Sequence, residues 1–115
     1  MEQLNRIEIR GNVGNVNILN VGNTRVAHFS VATNFAYKDR NGGPVIETTW
    51  HNVTAWEGNK GIASLEVIQK GFPIYVTGRL RVQKYITDDG IERTGVDVIA
   101  TSIEAVDSTV SPQMA

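Results

Sequence analysis

Side chains alternate between two classes along the segment from Pro73 to Thr87. The first class is apolar or small and comprises Ile74, Val76, Gly78, Leu80 and Val82. The second class is aromatic or polar and comprises Tyr75, Thr77, Arg79, Arg81, Gln83 and Tyr85. Because successive side chains of a strand point to opposite faces, the segment is predicted to be a strand with the first class buried and the second exposed.

The exposed class of this strand combines aromatic rings with guanidinium groups. Tyr75 and Tyr85 offer ring faces on which bases can stack, and Arg79 and Arg81 suit phosphates or bases. An ordinary solvated strand face uses the same residue types, because Tyr and Arg fit a pleated surface. This strand alone does not separate the two interpretations.

Four other segments are predicted to be strands. They are Arg6 to Val13, which Asn15 to Leu19 continue after a bend at Gly11 and Gly14, then Arg25 to Thr33, Val45 to Trp56 and Ile91 to Val106. Turns are expected at Gly22-Asn23, at Asn41-Gly42-Gly43-Pro44 and at Asp88-Asp89-Gly90. The segment from Asn59 to Lys70 is predicted to be helical because Ile62, Leu65 and Ile68 recur at a spacing of three, and Gly71 would end it.

The order of these elements predicts the fold class. Five strands with one short helix between the third and fourth are the order of an all-β OB-fold, a five-stranded Greek-key barrel that binds oligonucleotides or oligosaccharides. A length of 115 residues fits one domain. We expect this domain to span residues 1–106, followed by a short disordered tail over residues 107–115.

Composition excludes several classes of protein. The chain has no cysteine, which excludes disulfides and thiolate metal sites and is compatible with a reducing compartment. No segment approaches the roughly 20 apolar residues of a membrane helix, and the N-terminus is unlike a signal peptide. The net charge of −1 does not favour nucleic acid, but the stretch from Lys70 to Lys84 carries four basic residues and no acidic one. A local basic face is compatible with phosphate contact.

The predicted third strand carries both tryptophans of the chain. Trp50 and Trp56 share one face with Asn52 and Thr54, whereas His51, Val53 and Ala55 occupy the other. If the second face is the core, two tryptophans are exposed. Beside Tyr75, Arg79, Arg81 and Tyr85 they would form a continuous aromatic and basic sheet face. If the Trp face is the core, the second face is exposed to solvent. Periodicity does not choose between these arrangements.

The predicted hairpin from Phe35 to Pro44 carries Tyr37, Lys38 and Arg40 beside a glycine turn. These residues suit a finger that closes over a bound strand, but a routine exposed hairpin has the same composition. Signs of catalysis are weak: His28 and His51 have no partner pattern, and no metalloprotease, phosphate-loop or nucleophile-elbow motif occurs. We therefore expect no enzyme activity, no metal and no cofactor.

The chain resembles the bacterial single-stranded DNA-binding protein family. The resemblance runs from about Asn5 to Ile103 and begins at the stretch from Asn5 to Gly14, which looks like the opening strand of that family. It continues through Phe29 to Asn34, Glu47 to Val53, Lys70-Gly71 and Tyr75 to Arg81. The order and spacing of these pieces are specific, although each piece is weak singly.

The resemblance implies an OB barrel that binds single-stranded DNA without catalysis, usually as a homotetramer, with a dimer as the alternative. It implies sequence-tolerant binding in replication, recombination and repair, and a cytoplasmic, nucleoid-associated location. The stacking positions of the family match Tyr37, Trp50, Trp56 and Tyr85. The basic contacts that we carry over are Arg6, Lys38, Arg40, Arg79, Arg81 and Lys84, with Asn52 and Tyr75 as further DNA-binding candidates.

Two other functions stay open at this point. Members of the family usually end in an acidic peptide that recruits replication and repair proteins, whereas this sequence ends at Ser111-Pro112-Gln113-Met114-Ala115. That difference puts the recruiting role in question, whether the tail was removed or is naturally absent. A primosome-type adaptor of the same fold is one alternative function, and an OB module for an oligosaccharide or other ligand is the second.

Overall fold

A computed structural model describes residues 2–62 and 64–106 of the chain. Five strands form a closed barrel in the order β1-β2-β3-β5-β4. The strands are β1 (Ile7–Val21), β2 (Thr24–Lys38), β3 (Pro44–Trp56), β4 (Pro73–Ile86) and β5 (Glu92–Ala105). Neighbours pair antiparallel except β3 and β5, which pair in parallel at Val53/Val98 and Thr54/Ile99. The predicted all-β OB-type barrel is confirmed.

Alternate side chains of all five strands point into the barrel and form one hydrophobic core. Fully buried members include Val31, Val53, Ile74 and Val76, together with Leu65 from the connection between β3 and β4. Burying such side chains contributes roughly 1.5–3 kcal/mol each, which makes this core the main source of stability. The core face of β3 is the Val53 and Ala55 face, so the tryptophans lie on the other side.

The predicted buried face of β4 is correct only in its first half. Ile74, Val76 and Gly78 are buried, but Leu80 is 42% exposed and Val82 is 59% exposed, so the prediction for these two residues was wrong. The reason is geometric: beyond Gly78, β4 has no β1 partner and pairs only with β5. The two strands continue as a ribbon past the end of the barrel, where alternation persists but nothing covers the apolar side within the described residues.

The connection between β3 and β4 is mostly irregular. The predicted helix from Asn59 to Lys70 was wrong in extent, because the only helical turn described there is the 3₁₀ helix η1 (Leu65–Val67), capped by the Ser64 hydroxyl. Gly61 instead forms a parallel bridge with Ser102, and a Cβ at Gly61 would overlap the Thr101 carbonyl oxygen. The spacing-three apolar residues Ile62, Leu65 and Ile68 are all buried, as the pattern suggested. Ala63 lies outside the described residues.

The predicted turns are present, and one of the two predicted bends is a bulge. Gly22, Gly42 and Gly90 adopt positive φ in the three hairpin turns, a conformation that L side chains rarely take. The β1–β2 register shifts between Val13 and Val16, which places a bulge at Gly14. Gly11 pairs regularly with Ile74. The predicted tail over residues 107–115 lies outside the described residues, and among those described no helix is long and apolar enough to cross a membrane.

Candidate nucleic-acid interface

The outer face of β3 carries both tryptophans. Trp50 is 59% exposed and Trp56 is 41% exposed, which decides between the two arrangements that periodicity left open. Pairing between β2 and β3 runs without a bulge from Val26/Trp56 to Lys38/Pro44. Trp50, Asn52, Thr54 and Trp56 therefore share this outer face in sequence order. Six residues of strand separate the two ring positions, about 20 Å along β3.

The ring of Trp50 is seated in a space that Gly14 leaves open. A Cβ at Gly14 would lie 2.5 Å from Cζ3 of Trp50 and 2.6 Å from the Ser30 hydroxyl oxygen. The backbone N–H of Asn15 donates to that hydroxyl over 3.0 Å, which fixes the bulge against β2. The missing side chain at the bulge thus lets the indole cross β2 and lie against β1.

A polar trough lies on the outer face between the two tryptophans. Its polar lining comes from four strands and comprises Asn15, His28, Ser30, Asn52, Thr54 and Asp97. Ser30 pairs with Asn52 and His28 pairs with Thr54, so these side chains form two adjacent rows across β2 and β3. The Thr54 hydroxyl is buried beside Nδ1 of His28 at 3.2 Å. The trough therefore offers several hydrogen-bonding groups on the face of the barrel that carries the two exposed tryptophans.

Arg81 and Asp97 form an ion pair at the edge of this trough. The guanidinium donates two hydrogen bonds, from Nη2 to Oδ2 over 2.8 Å and from Nε to Oδ1 over 3.2 Å. These hydrogen bonds raise the pKa of Arg81. The Asp97 side chain is only 16% exposed, whereas Arg79, one period earlier on the same face, is exposed. Of the three predicted basic contacts on β4, Arg79, Arg81 and Lys84, Arg81 is therefore already neutralised within the protein.

Tyr85 lies on the same face of the β4–β5 ribbon as Arg79 and Arg81. Its ring covers Gly95, because a Cβ there would meet Cε1 of Tyr85 at 3.4 Å. The ring is held against the ribbon and keeps an exposed side. Lys84 has the opposite parity and lies on the other face of the ribbon with Val82. The predicted contacts of this ribbon are thus divided between its two faces.

The β2–β3 hairpin places its aromatic residue on a different face from the tryptophans. Tyr37 has the parity of the core-facing residues Phe29 and Val31, and it lies beside Phe35 with ring centroids 6.0 Å apart. Lys38 ends β2 and Arg40 follows in the exposed turn. The hairpin therefore presents Tyr37 and two cations at a projecting tip, apart from the Trp50 and Trp56 face.

Tyr75 and Arg6 belong to a separate cluster on the outer face of β1 and β4. The Tyr75 hydroxyl donates to Glu8, Arg6 pairs with Glu8 at 3.2 Å, and the Arg10 guanidinium lies 5.2 Å from the centroid of the Tyr75 ring. The hydrogen bond from Tyr75 lowers the pKa of Glu8. Tyr75 is ten residues from Tyr85 on β4, about 33 Å along the strand, so the structure does not bring these two candidates together.

The two histidines are occupied by packing and by threonine partners. Nε2 of His51 lies 2.9 Å from the Thr33 hydroxyl on the core-facing side of β2 and β3, and burial lowers the pKa of His51. His28 faces the trough. No group of three or more metal-ligating side chains is found within the residues that the structure describes.

Gly14, Ser30, His28 and Asp97 belong to this surface although the sequence did not single them out as binding residues. The partner of Arg81 was within reach of sequence reasoning. The hairpin loop Asp88-Asp89-Gly90 is centred on Asp89, so residues equally far from Asp89 pair with each other, which sets Arg81 opposite Asp97. The contact between Gly14 and Trp50 depends on the path of the ring across β2, which no local pattern encodes.

The fold agrees with comparisons to known proteins. Residues 4–106 match the model of the Single-strand binding protein family. The chain belongs to this family. It is 42% identical over 79 residues to the single-stranded DNA-binding protein of Neisseria meningitidis serogroup A, an alignment that covers 69% of this chain and 45% of that protein. It is 33% identical over 104 residues to that of Xanthomonas axonopodis pv. citri, covering 88% and 57%.

Solved structures of the family have the same fold. A complex of the Plasmodium falciparum single-stranded DNA-binding protein with single-stranded DNA superposes with a TM-score of 0.75 at 29% identity, covering 93% of this chain and 98% of that one. The small single-stranded DNA-binding protein of Streptomyces coelicolor gives a TM-score of 0.68 at 25% identity, covering 95% and 99%. The chain spans about half the length of the bacterial family members that it matches in sequence.

Proposed function

We propose that this protein binds single-stranded DNA with little sequence preference and protects it during replication, recombination and repair. The observation that carries the proposal is the pair of exposed indoles, Trp50 and Trp56, on one face of β3 with the polar trough between them. Exposed tryptophans on a regular strand are costly to leave in water without a ligand. Family membership and the DNA complex of the Plasmodium protein support the same conclusion.

Stacking supplies the sequence tolerance. Every base has a π-face, and a base stacked on an aromatic side chain contributes roughly 1–3 kcal/mol whatever its identity. Trp50 and Trp56 offer two such platforms, and Tyr85 and Tyr37 offer one each on the projecting hairpins. A single strand crossing the outer face of β3 passes from one indole to the other over the trough. None of these steps requires a reaction, and the protein acts without catalysis.

Phosphate neutralisation supplies the rest of the affinity. The cations placed for it are Arg79 on the Tyr85 face, Lys84 on the other side of that ribbon, and Lys38 and Arg40 at the tip of the β2–β3 hairpin. The net charge is −1, so the attraction arises from these local positions and not from the overall field. Arg6 is farther from the proposed path and is bound to Glu8. We propose a homotetramer in the bacterial cytoplasm as the working form.

Titration of the intrinsic tryptophan fluorescence with oligo-dT tests this function. We expect strong quenching, binding that weakens as salt is raised through counterion release, and poor competition by duplex DNA. Trp50→Ala and Trp56→Ala should each weaken binding about tenfold. Tyr75→Ala, in the separate cluster with Glu8, is the matched aromatic control and should bind normally. Absence of quenching and of salt-sensitive binding at micromolar protein would refute the proposal.

A further inference from the structure

The trough between Trp50 and Trp56 contains a fixed acceptor that a purely sequence-tolerant surface would not need. We propose that this trough receives the edge of one nucleobase and that the Asp97 carboxylate favours a base with an exocyclic amine over one with a carbonyl at the same position. The inference rests on the proposed binding of single-stranded DNA and names a preference within that site.

Asp97 lies beside Asn52 in the lining of the trough. Val53 pairs with Val98 in the parallel β3–β5 ladder, so Asp97 and Asn52, one residue earlier on each strand, lie side by side on the outer face. Both residues line the trough. Along β3, Asn52 follows Trp50 by two residues and precedes Trp56 by four. A base edge that enters the trough therefore meets the Asn52 amide and the Asp97 carboxylate side by side.

Arg81 fixes the orientation of the Asp97 carboxylate. Its side chain is 16% exposed, and each of its oxygens accepts one hydrogen bond from Arg81. A carboxylate oxygen has two acceptor sites, so each oxygen retains capacity for one further donor. Because Arg81 holds the group in place, Asp97 cannot turn away from a poorly matched base. An ionised carboxylate has no proton to donate to a base carbonyl.

Pyrimidine bases differ in the group that they would present to Asp97. Cytosine has an amine at its fourth ring position where uracil and thymine have a carbonyl oxygen. An amine there donates to Asp97, whereas a carbonyl oxygen faces a second acceptor and repels it. The amide of Asn52 and the hydroxyl of Ser30 can donate or accept, so they adapt to the remaining base edge. The trough thus discriminates through one fixed group among adaptable ones.

Oligo-dU strands that carry one substituted base isolate this effect, because stacking of all the other bases is unchanged. The substituted base is cytosine, 2-pyrimidinone (which has neither amine nor carbonyl at the fourth position) or uracil itself. We expect the wild-type protein to bind the cytosine strand about fivefold more tightly than the uracil strand, with 2-pyrimidinone between them. This order needs no variant and so does not depend on how a substitution folds.

Asp97→Asn then tests which residue is responsible. The amide has the same shape and can turn its N–H₂ toward a carbonyl, so the ratio of cytosine to uracil affinity should fall to about one. Glu104→Gln, the same loss of charge at an exposed position on β5 away from the trough, should leave the ratio unchanged. Equal wild-type affinities for the three strands, or a ratio that survives Asp97→Asn, would overturn the proposal. Failure to bind any of the strands would instead refute the proposed function.

Discussion

The six-membered ring of Trp50 lies over Gly14, in the space that a side chain at the β1 bulge would occupy. Three strands cooperate in this arrangement, since the ring starts on β3, crosses β2 beside Ser30 and ends against β1. A flexible surface ring would lose rotational freedom when a base stacks on it. A ring already seated against the barrel has lost that freedom during folding, which favours binding.

Gly14→Ala should therefore weaken binding of single-stranded DNA without unfolding the barrel. The new methyl group would lie 2.5 Å from Cζ3 of Trp50, so the ring must leave its seat. We expect about fivefold to tenfold weaker binding of oligo-dT, within the range for one stacked base. A double-mutant cycle with Trp50→Ala provides the control. If Gly14→Ala weakens binding equally in the absence of the Trp50 ring, the glycine acts through the backbone and the seating argument is wrong.

Asp97→Asn should make binding more sensitive to salt. In the wild-type protein the Arg81 guanidinium is held by two hydrogen bonds to Asp97 and is poorly available to a phosphate. Loss of the carboxylate charge releases one cation to the DNA, which should steepen the slope of log affinity against log salt by about 0.7. Affinity for oligo-dT at low salt should rise accordingly.

The slope is measured from titrations at several salt concentrations. Arg79→Ala provides the opposite case on the same strand face and should reduce the slope by about 0.7. An unchanged slope in Asp97→Asn would mean that Arg81 already contacts phosphate despite its partner.

The same substitution, Val→Thr, should lower the free energy of unfolding by different amounts at the two ends of β4. Val76 is fully buried and Val82 is 59% exposed, although both have the parity of the core face. Val76→Thr buries a hydroxyl in an apolar core whose described side chains offer it no hydrogen-bond partner, and it should lower the free energy of unfolding by about 1–3 kcal/mol. Val82→Thr should cost less than about 0.5 kcal/mol. Urea unfolding measures both, and a large cost at Val82 would indicate that another chain covers the ribbon in the assembled protein.

Sequence patterns predicted the strands well because alternation reports which face of a strand is apolar. Alternation does not report how far the barrel extends, and this is why Leu80 and Val82 were misplaced. The spacing of three similarly identified Ile62, Leu65 and Ile68 as buried residues. It did not show that the connection is irregular, because the bridge between Gly61 and Ser102 is a long-range contact that local spacing does not report.

The candidate interface was predictable by residue type and less so by arrangement. Trp50 and Trp56 were placed on one face, but only the buried Val53 and Ala55 show that this face is the outer one. Tyr75 illustrates the converse: it shares the parity of Tyr85, yet its hydroxyl and ring are occupied by Glu8 and Arg10 at the far end of β4. Two residues that share one face of a strand can therefore lie at opposite ends of it and belong to different surfaces of the barrel.

Arg25 joins the start of β2 to the end of β3 and to the 3₁₀ helix. Its guanidinium lies 2.6 Å from Glu57 and 3.6 Å from Glu66. The hydrogen bond and charge of Arg25 lower the pKa of Glu57, and the pKa of Glu66 is lowered first by its hydrogen bond with Ser64 and then by Arg25. Carboxylates with lowered pKa stabilise the folded state above their ordinary pKa of 4.5, and this stabilisation is lost as the pH falls below that value.

Arg25→Met should accordingly lower the melting temperature at neutral pH, by a modest amount because the groups are partly exposed to water. The difference from the wild-type protein should shrink as the pH is lowered through 4.5 and below, because protonated Glu57 and Glu66 no longer attract the guanidinium. Melting curves across this pH range measure the effect. Arg40→Met, at the exposed tip of the β2–β3 hairpin, is the matched control and should leave the melting temperature close to that of the wild-type protein. A difference at Arg25 that stays constant through this pH range would show that the side chain stabilises the fold through packing of its aliphatic stem and not through its charge.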